Sequence, residues 1–277
     1  MNIQLIDTGY FYADGGAMFG AIPKAAWQRR YPCDESNRCV LAMRSVLITG
    51  CHGGRIVLID TGAGSGQMKR LNHYGFFNLR NLTGELSARG VPAEEVTDVI
   101  LTHLHFDHCG YATQRDETSG RLSPAFPNAI HWISRRQWEN CFHPSPLERD
   151  SYFARDINAL EKTNAVRLID ADTTLCPGID LCLYDGHTPG QIAPYIHTPL
   201  RTIVFAGDVI PLAACTSLEW ISAYDTHPLI SYTEKVRMLE TAATCRQALI
   251  YCHDARLSCS TVRKVRDYYK TDRIITL

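Results

Sequence analysis

Short apolar runs of six or seven residues recur along the chain and predict buried β-strands. They lie at 44–49, 55–60, 97–103, 129–134, 165–170, 179–185, 202–208 and 248–253. The sequence "GCHGG" between the first two runs indicates a hairpin, because glycines accept the backbone angles of a tight turn. Amphipathic patterns predict helices at 82–89, 134–141, 147–162, 230–244 and 259–270. Strands in hairpins and strands alternating with helices together indicate a mixed α/β sandwich.

Four of these apolar runs end in, or lead directly into, a side chain that can do chemistry. The residues are Asp60, His103, Asp208 and His253. Functional groups in layered α/β folds collect at strand ends, where a rigid sheet aims them into a shared cleft. We therefore expect these four strand ends to form one site.

The stretch "LTHLHFDHCG" (101–110) has the densest chemistry of the chain. If the chain is extended at His103 and His105, both side chains point the same way and can hold one ion. Asp107 and His108, where the chain turns into a helix, would point elsewhere and suit a second ion. Imidazole and carboxylate are the ligands that zinc and similar divalent metals prefer.

Two ions need more donors than this segment has, and His187, Asp208 and His253 supply them. The predicted set places His103, His105 and His187 on one ion, Asp107, His108 and His253 on the other, and Asp208 between them. We expect two divalent ions per chain. Zinc is the first expectation, and the donor set also accepts manganese, iron or cobalt.

Composition narrows the classes of function. Lys plus Arg number 28 against 29 for Asp plus Glu, so the net charge of -1 gives no electrostatic footprint for nucleic acid or an anionic membrane. No secretory signal or apolar span is recognised, so we expect a cytoplasmic protein. The eleven cysteines form no C-x-x-C pair, which argues against a disulfide scaffold or a zinc finger. Cys109, beside a predicted ligand, is expected to be a bystander.

The motifs "THLHFDH", "GHTPG" and "AGD", with the final His253, resemble those of the metallo-β-lactamase superfamily. The resemblance implies a four-layer αββα sandwich, here a single domain over residues 1–277, with a binuclear metal site at one edge. "LIDTG" (58–62) is similar to a family segment whose aspartate supports the ligands from outside the metal centre, a role that the resemblance transfers to Asp60.

A finer resemblance covers almost the whole chain. Residues 15–38, 123–139 and 219–228 are similar to the branch that holds quorum-quenching N-acyl-homoserine lactonases and methyl-parathion-hydrolase-like enzymes. The resemblance implies an N-terminal flap over 1–40, either packed on the core or lining the substrate pocket. In the second case, the apolar wall for an acyl or aryl group would include Met18, Phe19 and Trp27.

The implied reaction is the opening of a lactone ring by a hydroxide held between the two ions. Asp107 would orient this hydroxide and transfer its proton to the leaving oxygen. The chain departs from the lactonase pattern at Gln191, where many relatives have histidine, and at Pro211, where several have a substrate-binding tyrosine. Tyr224, in the next loop, is the candidate for that tyrosine's work.

Other functions stay open on the same ligands. An organophosphate triesterase, a carboxylesterase or a thioester hydrolase of the glyoxalase II type would use the same site, and a catalytically silent binding module is the non-enzyme alternative. The substrate is expected to be a small lactone or ester, with neither nucleic acid nor membrane as partner. A homodimer is a further option, to which the apolar N-terminal segment would contribute.

Overall fold

The computed structural model describes residues 1–116 and 118–277. Its strands are β1 Asn2–Asp14, β2 Arg38–Thr49, β3 Val57–Ile59, β4 Asp98–Ile100, β5 Thr113–Arg115, β6 Leu122–Pro124, β7 Ile130–Ser134, β8 Val166–Ile169, β9 Thr173–Cys176, β10 Ile179–Tyr184, β11 Gln191–His197, β12 Thr202–Phe205, β13 Ala248–Ile250, β14 Cys259–Val265 and β15 Tyr268–Ile274. Its α-helices are α1 Gly15–Phe19, α2 Lys24–Trp27, α3 Leu82–Ser87, α4 Phe106–Cys109, α5 Arg135–Phe142, α6 Ala154–Glu161 and α7 Pro228–Thr244.

The strands form two large sheets. Six strands make the first sheet in the order β1-β2-β3-β4-β7-β8, and seven make the second in the order β15-β14-β13-β12-β11-β10-β9. Strands β3, β4, β7 and β8 run parallel, and so do β12 and β13. The predicted hairpin is confirmed, because β2 and β3 pair antiparallel around "GCHGG". Parallel neighbours bring their carboxyl ends to the same edge of a sheet.

The two sheets pack face to face, with helices on both outer sides. Val46 and Ile48 of β2 belong to the apolar core between the sheets, where they join Ile203 and Phe205 of the second sheet. Leu47 points the opposite way, as successive residues of a strand must, into the core beneath α3, α5 and α6. Helix α7 covers the outer face of the second sheet. The four-layer αββα fold is thus confirmed.

The segment predicted as a helix at 259–270 is instead the hairpin of β14 and β15. Its sequence "CSTVRKV" is rich in β-branched residues, whose stiff side chains favour strands. Arg266, between the two strands, has a φ of 56°, a left-handed angle that suits a tight turn and ends any helix. The helix prediction was wrong because periodicity was weighed above residue type.

The first part of the predicted flap over 1–40 is instead an edge strand of the first sheet. Strand β1 pairs antiparallel with β2 along its full length, from Asn2 opposite Thr49 to Asp14 opposite Arg38. The residues outside the sheet are 15–37, which carry α1 and α2. Within the described residues, no helix combines the length and the apolar character that crossing a membrane requires.

Candidate metal centre

The expected strand ends do meet, at the edge where the carboxyl ends of the parallel strands lie. Asp60 follows β3, His103 comes shortly after β4, Asp208 follows β12 and His253 follows β13. His187 joins them from the turn between β10 and β11. Two sheets therefore contribute side chains to one cleft.

The backbone of the segment 101–110 explains how its side chains point in two different directions. The chain is extended at His105, with φ −66° and ψ 148°, and α4 begins at the next residue. His103 and His105 therefore lie before the helix, whereas Asp107 and His108 lie on its first turn. The change from extended chain to helix separates the two pairs in direction.

The first cluster consists of His103, His105 and His187. One ring nitrogen of each histidine lies within 4.8 Å of those of the other two, and His105 Nδ1 is 3.2 Å from His187 Nε2. His103 Nε2 is buried and has no hydrogen-bond partner among the described residues. A buried ring nitrogen without a partner is costly, and a cation between the three nitrogens would remove that cost.

The second cluster consists of Asp107, His108 and His253. His108 Nε2 lies 3.1 Å from His253 Nε2, and Asp107 Oδ2 lies 3.7 Å and 3.5 Å from these two nitrogens. The thiol of Cys252, the residue before His253, approaches His108 and His253 of this cluster. Two imidazole nitrogens that face each other need a proton or a cation between them.

Asp208 lies between the clusters and faces both. Its Oδ1 is 3.1 Å from His253 Nε2 and 3.5 Å from His108 Nε2. Its Oδ2 is 3.3 Å from His187 Nε2, on the side of the first cluster. A carboxylate with one oxygen toward each donor group is suited to bridge two cations.

The outer nitrogen of each of the five histidines is held by another group. The pairs are His103 Nδ1 with Thr102 Oγ1 at 3.1 Å, His105 Nε2 with Glu148 Oε2 at 3.4 Å, His108 Nδ1 with Asp60 Oδ2 at 2.7 Å, His187 Nδ1 with Asp225 Oδ1 at 2.9 Å, and His253 Nδ1 with the backbone oxygen of Ala42 at 2.8 Å. Acceptors on the outer side favour the tautomer whose inner nitrogen keeps its lone pair. The residues present therefore fit two divalent metal ions.

The backbone of Asp60 is in an unfavourable conformation. It has a φ of 53°, an uncommon angle for a residue other than glycine, and strain of this kind is typical of functional sites. Its Oδ1 accepts the backbone N–H of Thr102 at 2.8 Å, and its Oδ2 accepts the Thr102 hydroxyl at 2.9 Å. The carboxylate thus connects the end of β3 to the chain that follows β4 and to His108.

The electrostatic surroundings of Asp208 and His103 favour the forms of these two groups that bind metal. Burial opposes the ionisation of Asp208, but the surrounding histidines outweigh burial and hold its pKa well below the ordinary value. Burial lowers the pKa of His103 well below its ordinary value, and the neighbouring imidazoles lower it further. An ionised carboxylate and a neutral imidazole are the forms that ligate a metal.

Neighbouring carboxylates outweigh burial and raise the pKa of His108, of His187 and of His253, the last to about 9. Burial lowers the pKa of His108, yet the carboxylates of Asp107, Asp208 and Asp60 outweigh burial and raise the pKa well above the ordinary value. A proton therefore occupies the place between these carboxylates when no cation does. A cation that enters the second cluster must displace this proton, so metal binding there releases a proton.

Asp60 lies beside His108, as the resemblance implied, but sequence reasoning missed the other side chains that hold the ligands from outside. Glu148, 5% exposed, also accepts the Tyr152 hydroxyl at 2.9 Å and the Thr188 hydroxyl at 2.8 Å. Burial opposes its ionisation, but hydrogen bonds led by His105 outweigh burial and lower its pKa to about 2. Glu148 and Asp225 each stand alone in a loop, so no local spacing marked them.

A pocket opens directly above both clusters. Met18, Asp107 and Tyr224 line it, as the sequence analysis expects, and Pro211 lines it as well. Its apolar side is completed by residues that were not predicted, namely Phe11, Ala13, Leu41, Tyr74, Phe106 and Leu147.

Phe19 and Trp27 lie behind this wall rather than on it. Both are almost fully buried, at 0% and 1% exposure, and their rings stack at 5.0 Å. The aromatic character that suggested a substrate wall is used instead to pack the segment 15–37 against the core.

Gln191 and Cys109, two positions that the sequence analysis discussed, both make hydrogen bonds to the backbone. Gln191, in place of the histidine common among relatives, accepts the backbone N–H of Asp208 through Oε1 at 3.3 Å and so supports that loop. Gly207, just before Asp208, has a φ of 51°, an angle that glycine adopts without strain. Cys109 points into the core beneath the helices and donates to the backbone oxygen of Leu104.

Two curated relatives are similar to this chain in sequence. The N-acyl homoserine lactonase AiiA of Bacillus thuringiensis subsp. kurstaki is 26% identical over 156 residues, which are 51% of this chain and 54% of that protein. The N-acyl homoserine lactonase AttM of Azorhizobium caulinodans is 32% identical over 74 residues, which are 27% of this chain and 24% of that protein. The chain spans about half the length of the first of these curated relatives and about a quarter of the second.

Solved structures extend the likeness to the whole chain. A probable metal-dependent hydrolase from Staphylococcus aureus aligns with a TM-score of 0.87 and 26% identity, over 99% of this chain and 98% of its own. AidC, a dizinc quorum-quenching lactonase, aligns with a TM-score of 0.80 over 99% of this chain and 95% of its own, and its 18% identity shows a common fold alone. The family model described as Metallo-beta-lactamase superfamily matches residues 44–251, which is most of the sequence. This chain therefore belongs to the metallo-beta-lactamase superfamily.

Proposed function

We propose that the protein is a metal-dependent hydrolase that opens a lactone ring, with N-acyl homoserine lactones as its substrates. The observation that carries the proposal is the position of Asp208, which faces two groups of histidines at the floor of an apolar pocket. The relatives AiiA and AttM, both N-acyl homoserine lactonases, support the choice of a lactone. An enzyme of this kind would destroy acylated signal molecules, the activity called quorum quenching.

The metal would be held by seven side chains. They are His103, His105 and His187 in the first cluster, Asp107, His108 and His253 in the second, and Asp208 between the two. Two divalent ions, with zinc as the first choice, would supply Lewis-acid polarisation of the carbonyl group and activation of water at neutral pH.

Asp107 is assigned the proton transfer. It lies on the first turn of α4, is half-buried and lines the pocket beside both clusters. Its carboxylate can accept the proton of the attacking water and return it to the ring oxygen as the carbonyl carbon–oxygen bond breaks. The product is the open N-acyl homoserine, which has a free carboxylate and hydroxyl.

Tyr224 is assigned to orient the substrate. Burial, helped by the negative charges of Asp14 and Asp107, raises the pKa of its phenol, so the group is protonated at neutral pH and can donate to a substrate oxygen. The loop that carries it is fixed to α1, because Ala223 N and Ser222 Oγ both donate to the backbone oxygen of Ala17. This contact gives Tyr224 a defined place at the pocket, in the role that Pro211 cannot fill.

The apolar wall is assigned to the acyl chain. Phe11, Met18, Leu41, Phe106 and Leu147 surround the space above the two clusters. An acyl chain bound against them would leave the lactone ring toward the polar floor, near Asp107.

The test is turnover of a substrate panel by purified protein whose metal content is measured. The panel contains N-acyl homoserine lactones of increasing chain length, the open-chain methyl ester of one of them, a paraoxon-type triester and a thioester. We expect two ions per chain and a kcat/KM that is highest for a lactone. The variant Asp107→Asn should lose about 10²–10⁴-fold in kcat, whereas Asp156→Asn, a half-buried carboxylate on α6, should behave as the parent.

Two results would overturn the proposal. With two ions bound but no lactone opened, the substrate would instead be whichever ester, thioester or triester is turned over. Protein that binds no divalent ion would refute the hydrolase assignment itself.

A further inference from the structure

A thiol approaches the shared carboxylate from the side of the protein core. Cys252 comes between β13 and His253 and is 1% exposed. Its Sγ is 3.1 Å from Asp208 Oδ1. The donor atoms of Cys252, His108, Asp208 and His253 all lie within 4.8 Å of one another. The thiol is thus part of the second cluster's surroundings.

The two oxygens of Asp208 have unequal surroundings. Oδ2 faces His187 Nε2 at 3.3 Å, whereas Oδ1 faces His253 Nε2, His108 Nε2 and the thiol together. A carboxylate oxygen has two lone pairs. If the S–H group uses one lone pair of Oδ1, a single lone pair remains there for a cation, and the carboxylate cannot rotate freely.

We propose that Cys252 is a positioning residue, which donates its S–H to Asp208 Oδ1 and so holds this carboxylate with one oxygen toward each histidine cluster. The inference rests on the two-ion site of the proposed function. Direct ligation by sulfur is disfavoured because Asp107, His108, Asp208 and His253 already bring four nitrogen and oxygen donors to the second ion. The side chain of Cys252 also packs among the apolar residues between the two sheets, on the core side of Asp208.

Three variants separate the hydrogen bond from the packing. Cys252→Ser keeps a donor of similar size, and Cys252→Ala removes it. Cys109→Ala is the matched control, because Cys109 is also buried and also adjacent to a ligand histidine, but its thiol donates to the backbone oxygen of Leu104. The metal-free proteins are titrated with zinc and with cobalt, and the binding constant of each step is measured.

We expect Cys252→Ala to bind one of the two ions about 10-fold more weakly, which is the usual loss when an outer partner of a ligand is removed. Cys252→Ser and Cys109→Ala should bind both ions nearly as the parent does. Infrared spectra give a second readout. The S–H stretching band that disappears in Cys252→Ser should be present in the metal-loaded parent, at a lower frequency than the band lost in Cys109→Ala.

Parent-like binding of both ions by Cys252→Ala would overturn this inference and leave the proposed function intact. Loss of the Cys252 S–H band on metal loading, together with a sulfur-to-cobalt charge-transfer band, would overturn it in favour of direct ligation. Failure of the parent to bind any ion would refute the proposed function as well. If Cys252→Ala does not fold, Cys252→Ser and the infrared spectra decide the question on their own.

Discussion

The replacement Asp60→Asn tests whether the metal centre depends on partners beyond its ligands. The carboxylate of Asp60 is 1% exposed and accepts three hydrogen bonds, two from Thr102 and one from His108 Nδ1 at 2.7 Å. An asparagine side chain of the same shape keeps one acceptor oxygen and places an NH₂ donor where Oδ2 was. The substitution therefore changes hydrogen bonding with little change in volume.

The expected loss of metal affinity depends on which hydrogen-bond partner of Asp60 can adapt to the new NH₂ group. The Thr102 hydroxyl can rotate and accept a hydrogen bond from the new NH₂ group, but the Nδ1–H of His108 would face another donor. His108 is then driven to the tautomer with its proton on Nε2, the nitrogen that faces His253 at 3.1 Å. Losing an outer partner of this kind costs about 10–100-fold in metal affinity, which is about 1.4–2.7 kcal/mol.

The assay is a stepwise titration of the metal-free variant with zinc, combined with thermal unfolding in the absence of metal. Asp98→Asn is the control, because Asp98 is also fully buried in the first sheet, at the start of β4 rather than beyond the end of β3. Its carboxylate accepts from Arg55 and from the Trp132 ring nitrogen. We expect Asp98→Asn to unfold at a lower temperature and to bind metal as the parent does.

Two outcomes would refute this reasoning. Parent-like affinity for both ions in Asp60→Asn would show that the tautomer of His108 does not depend on Asp60. An equal loss of affinity in Asp60→Asn and Asp98→Asn would show that metal affinity follows the stability of the sheet rather than the hydrogen bond.

Removal of bound metal with a chelator is expected to lower the free energy of unfolding, and zinc at about 100 times its Kd should restore about 2.7 kcal/mol per ion; an unchanged denaturation midpoint would contradict this. Met18→Ala should raise KM for long acyl chains more than for short ones, because Met18 lines the pocket, while Leu200→Ala, at an exposed position, should leave both values unchanged. Trp27→Ala should lower the free energy of unfolding by about 3–5 kcal/mol, because the ring is buried against Phe19, and a stability equal to the parent's would contradict this.

The interior strands could be predicted from the sequence because they are buried on both faces. Strands β3, β4 and β12 are short and mostly apolar, with the sequences VLI, DVI and TIVF, which is close to the pattern of parallel strands covered on both sides. The edge hairpin β14–β15 was mistaken for a helix because periodicity was weighed above residue type, and β1 was included in the flap because a resemblance, rather than its own pattern, implied the bounds of that segment. Their pairing depends on partners that one sequence does not identify.

In the metal centre, too, residues close together in the sequence could be predicted, whereas partners from distant segments could not. His103, His105 and His108 could be recognised because their spacing is short and serves no packing purpose. The groups that decide which nitrogen of each histidine faces inward come from distant segments, since Glu148 lies 43 residues from His105 and Asp225 lies 38 residues from His187.

Cys252 extends this argument to a residue that is next to a ligand in the sequence. Its neighbour His253 could be selected by its place at a strand end, yet the thiol's own contact is with Asp208, 44 residues earlier in the chain. The sequence does not indicate that contact, because Cys252 and Asp208 reach the same place from the ends of two different strands, β13 and β12. A sequence can thus identify the atoms able to bind metal, whereas the tautomers and carboxylate orientations that make them ligands are set by how the two sheets meet.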